Sequence, residues 1–410
     1  MIKSAQKGLK TCGALASHGI QSAPIWNLTA CRAQRAAIAF KTGEEGNVLR
    51  VLNVMLSLGL GGVQKAYAGY TKLLCHLGHE VVSCVAPRSA VSMYLPAAAN
   101  LVTLSNFFER DPVAIIRAAF LLRSQKPDLI MVHGKRALML FSRARHLSGL
   151  HIPLINVLHR HRFKHIARSD LNICISEPLR DEAAAAGIDK AKLAYIPNFL
   201  TGELDASLPT PWNDPPVIGF LGRMVPEKGL DLFIDALAIL KESGVHFAVR
   251  IGGDGPMRQT WKAYAAARGL GHDLQWVGWV NAVGEFHKSI DVLCIPSRWE
   301  SFGLVILEAY KAGKVVMATR TTGPASIIND KVNGLMSDID AKDLAAKLKV
   351  VIENPEFAER MATQAAYDIM QYEIDAVAPA VDTLLKNLVK NFHHAPGLGL
   401  SSAASGVADR

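Results

Sequence analysis

The chain has 410 residues, 50% of them apolar and 20% charged, with 45 Lys and Arg against 36 Asp and Glu for a net charge of +9. This balance excludes a disordered or fibrous polypeptide, and the length exceeds the roughly 250 to 300 residues at which single cores stop growing, so two domains are expected. Uninterrupted apolar runs fall short of the roughly 18 to 20 residues of a membrane helix, and the cysteines (Cys12, Cys31, Cys75, Cys84, Cys174, Cys294) form no C-x-x-C pair or zinc spacing, which reads as reduced thiols in a cytoplasmic protein.

Residues 1–46 carry Lys3, Lys7, Lys10, Arg32, Arg35 and Lys41 with no acid before Glu44, and they lack periodicity and a continuous apolar stretch. They read as a disordered extension, with a basic mitochondrial-type presequence as the other reading; the features of a secretory signal are missing. An N-terminal domain is expected over 47–207. Its opening, "VLRVLNVMLSLGLGGVQKAYAGYTKLLCHLGHEVVSCVAP", has an apolar strand over 48–56, a cluster of Gly59, Gly61 and Gly62, a helical stretch to His76, and a strand from Glu80 to Ala86. Strand, Gly loop, helix and strand in that order predict a parallel sheet with a right-handed crossover. "PDLIMVHG", "IPLINVLH", "LNICIS" and "KLAYIPN" add further short strands, so the first half is doubly wound α/β.

A Pro-rich linker, "LPTPWNDPP" at 208–216, precedes a second α/β alternation over 217–372. There "VIGFLGR", "FAVRIGG", "LQWVGWV", "VLCIPS" and "KVVMATR" read as strands, and "GLDLFIDALAILKES" and "PMRQTWKAYAAARG" as helices. Residues 373–392 read as a last helix, and 393–410 as a flexible tail. The fold class is α/β, with two Rossmann-like doubly wound domains facing each other across a cleft.

Open α/β sheets bind ligands at the carboxyl ends of their strands. In "GFLGRMVPEKG", Arg223 follows a strand and Lys228 precedes a helix, a pair able to clamp a diphosphate through forked and point-charge contacts; taken alone it also suits a solvated turn. In "PSRWESFGLVILEA" a helix starting near Ser301 would point the backbone N–H groups of Phe302, Gly303 and Leu304 at a phosphate. Glu308, two turns further on, could then accept from ribose hydroxyls, with Glu300 facing the other end of the ligand. The plainer alternative is that Glu300 caps the helix and Glu308 pairs with a lysine. His133, in "MVHGKR", also ends a strand facing the cleft and is a candidate for the acceptor side. "DID" at 338–340 mimics a metal-binding D-x-D, but Asp340 reads as a helix N-cap, so metal ligands are not expected there.

"GRMVPEKG", the turn "GGDGP" around Gly253, and the two glutamates of "ESFGLVILE" together resemble the retaining glycosyltransferases of family 4, the glycogen-synthase-like group with the GT-B fold. "GLGGVQK" resembles its N-terminal glycine loop, and the likeness runs over about residues 48–392. It implies a C-terminal helix crossing back to the first domain, and a nucleoside-diphosphate sugar as donor. Arg223 and Lys228 would neutralise the leaving diphosphate, Glu300 would contact the donor sugar and Glu308 the ribose. Gly61 and Gly62 would present backbone N–H groups to the phosphates, and Gly253, Ser301, Phe302, Gly303 and Leu304 would complete the donor site. His159, in "NVLHRHRF", matches a histidine beside the transferred sugar, and His161 is the neighbour that could be confused with it. Cationic stabilisation of the diphosphate implies chemistry with no cofactor and no metal.

The resemblance implies transfer to a lipid-linked or polysaccharide acceptor in cell-envelope glycan synthesis. A nucleotide-sugar 2-epimerase and a non-catalytic sugar-nucleotide-binding subunit share the fold. A dinucleotide oxidoreductase would need a complete G-x-G-x-x-G and a following acid. Between residues 113 and 168, Arg117, Arg123, Lys126, Lys135, Arg136, Arg143, Arg145, Arg160, Arg162, Lys164 and Arg168 face only Asp128 as a counter-charge. This stretch predicts basic amphipathic helices suited to an anionic membrane surface or an acidic glycolipid, on the inner face of the cell membrane, with ordinary solvated helix faces as the plainer alternative. No nucleic-acid-binding motif accompanies it.

Overall fold

The computed structural model describes residues 48–394 apart from 60 and 203–206. The expectations for residues 1–46 and for the tail beyond 394 therefore lie outside the described residues. Seven parallel strands, β1 (Arg50–Met55), β2 (Glu80–Val85), β3 (Asn100–Thr103), β4 (Leu129–His133), β5 (Leu154–Leu158), β6 (Leu171–Cys174) and β7 (Leu193–Tyr195), form one sheet in the order β3-β2-β1-β4-β5-β6-β7. Six more, β8 (Val217–Leu221), β9 (Ala248–Gly252), β10 (Leu274–Gly278), β11 (Val292–Ile295), β12 (Val315–Thr319) and β13 (Leu335–Ser337), form a second sheet ordered β10-β9-β8-β11-β12-β13.

The central strands are mostly apolar on both faces because helices cover both faces of a parallel sheet. In β1, Val51, Leu52 and Val54 are all buried, and Val51 pairs with Val81 on one side and Leu129 on the other. Two strands were absent from the sequence reading. β3 lies at a sheet edge and is mostly exposed, so it has no apolar run to announce it, and β13 is only 3 residues long.

The last helix, Ile374–His394, passes beyond the end expected for it and takes in His393 from the anticipated tail. It joins the two halves. Leu200 bridges to Glu373, and Leu200 N–H donates to the Tyr372 carbonyl at 2.8 Å while Ile374 N–H donates to the Leu200 carbonyl at 3.0 Å. Val377, Ala378, Val381 and Leu385 share a core with Leu73, Leu74 and Val81 of the first domain. The buried His79 fixes this docking: its Nδ1 accepts from Leu49 N–H at 3.3 Å, so Nε2 carries the proton donated to Asp382 at 3.1 Å.

The basic stretch is less bare of counter-charge than its own residues suggest. Glu109, just before it, pairs with Lys135 at 2.9 Å, and Asp170, just after it, pairs with Arg145. Asp128 accepts from Arg50 N–H at 2.7 Å. Within the helix Pro112–Gln125, Ala114, Ala118, Ala119 and Leu122 face the core, whereas Val113, Ile116 and Phe120 are exposed. Among the described residues no helix is long and apolar enough to cross a membrane, and Cys75, Cys84, Cys174 and Cys294 are free thiols.

Candidate active site

Strand order reverses once in each sheet, between β1 and β4 in the first and between β8 and β11 in the second. The crevice outside the carboxyl ends of the strands at such a point is where open α/β sheets hold ligands. The candidate residues gather at both points.

In the second sheet, the turn after β8 carries Arg223, exposed, and then a single helical turn, Pro226–Lys228. The turn after β9 packs tightly upon it. Gly253 has φ +119° and a Cβ there would come within 1.9 Å of the Gly222 carbonyl oxygen, so only glycine fits. After β11 the chain turns through Arg298, whose guanidinium forks onto Asp231 at 2.7 and 2.8 Å while its N–H donates to the Glu227 carbonyl at 2.8 Å. This fork ties the two turns together and brings Lys228 Nζ onto the Glu300 carboxylate. The Glu300 carbonyl in turn accepts from Gly323 N–H at 2.9 Å.

The helix expected from Ser301 begins at Leu304 and ends at Lys311. Gly303, at φ +95°, is its N-cap, and that left-handed turn holds Ser301 and Phe302 outside the helix. Phe302 is buried, its ring 6.2 Å from that of Tyr372, which anchors the turn from below. Glu308 consequently sits little more than one turn from the helix start. Its buried carboxylate accepts from Lys65 Nζ of the first domain at 2.6 Å. Glu300 does not cap this helix; it pairs with Lys228 instead.

In the first sheet, β1 runs into the glycine loop. Gly61 is the N-cap of the helix Gly62–His76, and a side chain at Gly62 would meet no described atom within 4 Å. Lys65 stands near the positive end of this helix, where a cation is disfavoured by the macrodipole. That misplacement was the signal available in "GGVQK", and sequence reading passed over it.

His133 ends β4 and His159 follows β5. His133 does not open toward an acceptor: it is 2% exposed, with Nδ1 3.1 Å from His159 Nε2 and its ring against Tyr67 and Tyr70 at 5.4 and 5.5 Å. Burial, reinforced by the neighbouring Arg160, pushes the His159 imidazole down to about 3, and burial followed by the His159 charge holds His133 well below the usual histidine range. Both rings are neutral at physiological pH. His161 is distinct from the pair, for its Nδ1 meets Glu182 and its ring stands edge-on to Trp299 of the second domain at 5.3 Å. Asp340 accepts from Lys342 and Asp343 N–H, both at 2.9 Å, as the N-cap read from the sequence.

The description "Glycosyltransferase Family 4" matches residues 60–201, and "Glycosyl transferases group 1" matches residues 209–367. A lipopolysaccharide core biosynthesis glycosyltransferase, LpsE of Rhizobium meliloti, is 27% identical over 335 residues, 79% of this chain and 96% of the relative. A second one from that organism, LpsD, is 25% identical over 316 residues, 74% of this chain and 88% of the relative. Among solved structures, Anabaena HepE in complex with UDP and glucose superposes with a TM-score of 0.72 at 19% identity, over 83% of this chain and 100% of that one. Two Rossmann-like sheets, each with one switch point and joined by a returning C-terminal helix, make up the GT-B fold. The chain belongs to the group 1, family 4 glycosyltransferases.

Proposed function

We propose that this glycosyltransferase moves a sugar, with retention, from a nucleoside-diphosphate sugar to a glycolipid or polysaccharide acceptor in cell-envelope glycan synthesis, without a metal. The observation that carries the reading is the gathering of Arg223, Lys228, Glu300 and Glu308 at one switch point, with Lys65 of the first domain in contact with Glu308. The lipopolysaccharide core relatives support the acceptor class, and the UDP bound in HepE makes a UDP-sugar the first donor to test.

Breaking a glycosyl–phosphate bond leaves negative charge on the diphosphate and positive charge at the anomeric carbon. Arg223 and Lys228 stabilise the departing diphosphate, most strongly where the closed cleft excludes water. The N–H groups at Gly303 and Leu304, with Ser301 and Phe302 shaping the turn, hold a phosphate at the helix start, and Gly61 and Gly62 approach it from the other domain. Glu308 accepts from the ribose hydroxyls. Glu300 accepts from hydroxyls of the transferred sugar, with neutral His159 beside it. Retention follows if the leaving phosphate oxygen assists the acceptor hydroxyl on the same face.

The protein works on this reading at the inner face of the cell membrane. Phe107, Phe108, Ile116 and Phe120 are exposed beside Arg110, Arg117 and Arg123, apolar and cationic groups that together suit an anionic lipid surface.

Thermal denaturation with UDP-, GDP- and ADP-sugars in the presence of EDTA tests the donor reading. A ligand of the folded state raises Tm with the logarithm of its concentration above Kd. A UDP-sugar should do so, and Arg223→Ala should abolish the shift while leaving the unliganded Tm unchanged. No shift with any sugar nucleotide, or one that requires added divalent metal, overturns the proposal.

A further inference from the structure

We infer that His133 is a positioning residue for transfer: its Nδ1–H donates to Nε2 of His159 and so fixes His159 with its own proton on Nδ1, a hydrogen-bond donor available to the sugar. This rests on the proposed place of His159 beside the transferred sugar, and adds the device that sets its tautomer.

His133 and His159 meet ring to ring. They lie nearly parallel, 22° apart with centroids 5.4 Å from each other, and a single hydrogen bond of 3.1 Å joins Nδ1 of His133 to Nε2 of His159. Two neutral imidazoles can share that bond in two ways. Either His133 donates from Nδ1, or His159 donates from Nε2 and His133 must carry its proton on Nε2. The surroundings of His133 distinguish these. Its Nε2 is buried and meets no hydrogen-bond partner. The Tyr67 hydroxyl is engaged with Ser83, and the buried Tyr70 hydroxyl, itself without a hydrogen-bond partner, makes no bond to this nitrogen. In the second arrangement Nε2 would hold a buried N–H with no acceptor, whereas in the first it holds only an unfilled lone pair, the more readily tolerated of the two.

The first arrangement leaves His159 no choice. With Nε2 accepting, its proton resides on Nδ1, and the second nitrogen of the imidazole sets the role of the first. Sugar hydroxyls both donate and accept, but an imidazole that could invert its tautomer would bind them in two registers. His133 removes one of them. Tyr67 and Tyr70, both fully buried, pack on His133 and hold its ring in place.

Imidazole nitrogen-15 NMR of the unliganded enzyme, with the His159 signals assigned by their loss in His159→Gln, tests this directly. The expected result is a single neutral His159 tautomer protonated on Nδ1, giving way in His133→Leu to a mixture or to the Nε2–H form. In turnover, His133→Leu should lose on the order of 10- to 100-fold in kcat with little change in donor KM, by analogy with the loss when a group orienting a metal-bound imidazole is removed. His133→Asn, whose side-chain N–H occupies the position of Nδ1–H, should recover most of that loss. A His159 protonated on Nε2 in the wild type overturns the inference, as does an equal kcat loss in the Asn and Leu variants at unchanged Tm. Full turnover in His159→Ala would instead remove the sugar-side role while leaving the tautomer assignment intact, so the two failures are distinguishable.

Discussion

Lys65 and Glu308, 243 residues apart in sequence, meet across the cleft with 2.6 Å between Nζ and Oε1. The carboxylate proposed to hold the donor ribose is thus already engaged by the opposite domain, and donor binding must exchange one partner for another. Glu308→Gln should raise the donor KM about tenfold, the cost of roughly one charged hydrogen bond, with kcat little changed, because ribose contacts are similar in ground and transition states. Lys65→Met separates ribose binding from interdomain pairing. It removes the competing pair but leaves the carboxylate, so donor KM should not rise above the wild-type value. Initial rates against donor concentration decide it: equal KM increases in both variants would make the ion pair itself, and not a ribose contact, the function of Glu308.

Lys228 and Glu300 make the corresponding pair within the second domain, and here the expected effect falls on the chemical step. Glu300→Gln should lower kcat while leaving nucleoside diphosphate affinity nearly unchanged, since the diphosphate is held by the cations. Lys228→Ala should weaken that affinity and reduce turnover by roughly ten- to a thousandfold, the range for losing one preorganised charge contact. Calorimetric titration with UDP alongside turnover separates the two. Glu300→Gln with normal kcat would reassign Glu300 to holding Lys228 in place.

The features legible in the sequence are those written locally. β1, β4 and β11 show as apolar runs because both of their faces are buried, and Asp340 shows as a cap because the N–H donors its carboxylate accepts from are two and three residues away. The helix start at Leu304 was missed by three residues, because Gly303 reads equally well as room for a ligand or as a left-handed cap. Contacts between distant segments left no local trace. Nothing near Lys65 names Glu308, nothing near Arg298 names Asp231, and the enclosure of His133 depends on tyrosines from the distant helix Gly62–His76. Such contacts are set by how the sheets and domains pack, which periodicity and motif spacing do not encode.

Acid should destabilise the fold through its buried histidines. His287 is fully buried with neither ring nitrogen partnered, and burial, then Lys65 and Lys314, pushes its imidazole down to about 3 from the usual 6.5. Because the folded value lies below the unfolded one, the unfolded chain binds more protons between them, so the stabilisation is complete above pH 6.5 and is lost as pH falls toward 3. At pH 5 the loss from one such group is roughly 2 kcal/mol, with His133 and His159 adding losses of the same sign. Urea melts of wild type and His287→Leu between pH 7 and pH 5 check this. The variant should lose less stability over that interval, and parallel pH dependences would show that His287 is not held neutral.

The exposed face of the helix Pro112–Gln125 supports the last prediction. Val113, Ile116 and Phe120 lie three and four residues apart, so they form one stripe, with Arg117 and Arg123 along it and Phe107, Phe108 and Arg110 in the preceding loop. Each exposed Lys or Arg near an anionic surface is worth about 1 kcal/mol and is screened over about 8 Å at physiological salt, whereas inserted aromatic rings add attraction that salt does not weaken. The protein should sediment with phosphatidylglycerol-containing vesicles, bind phosphatidylcholine vesicles poorly, and be released as salt rises. Reversing charge at Arg110, Arg117 and Arg123 should remove most of the binding and its salt dependence. Phe107→Ser with Phe120→Ser should weaken binding while preserving the salt dependence. Donor hydrolysis, which needs no lipid, should survive both sets of changes, because neither touches a residue of the cleft. Equal sedimentation with neutral and anionic vesicles, or none at low salt, would leave the basic and apolar stripe without a membrane role.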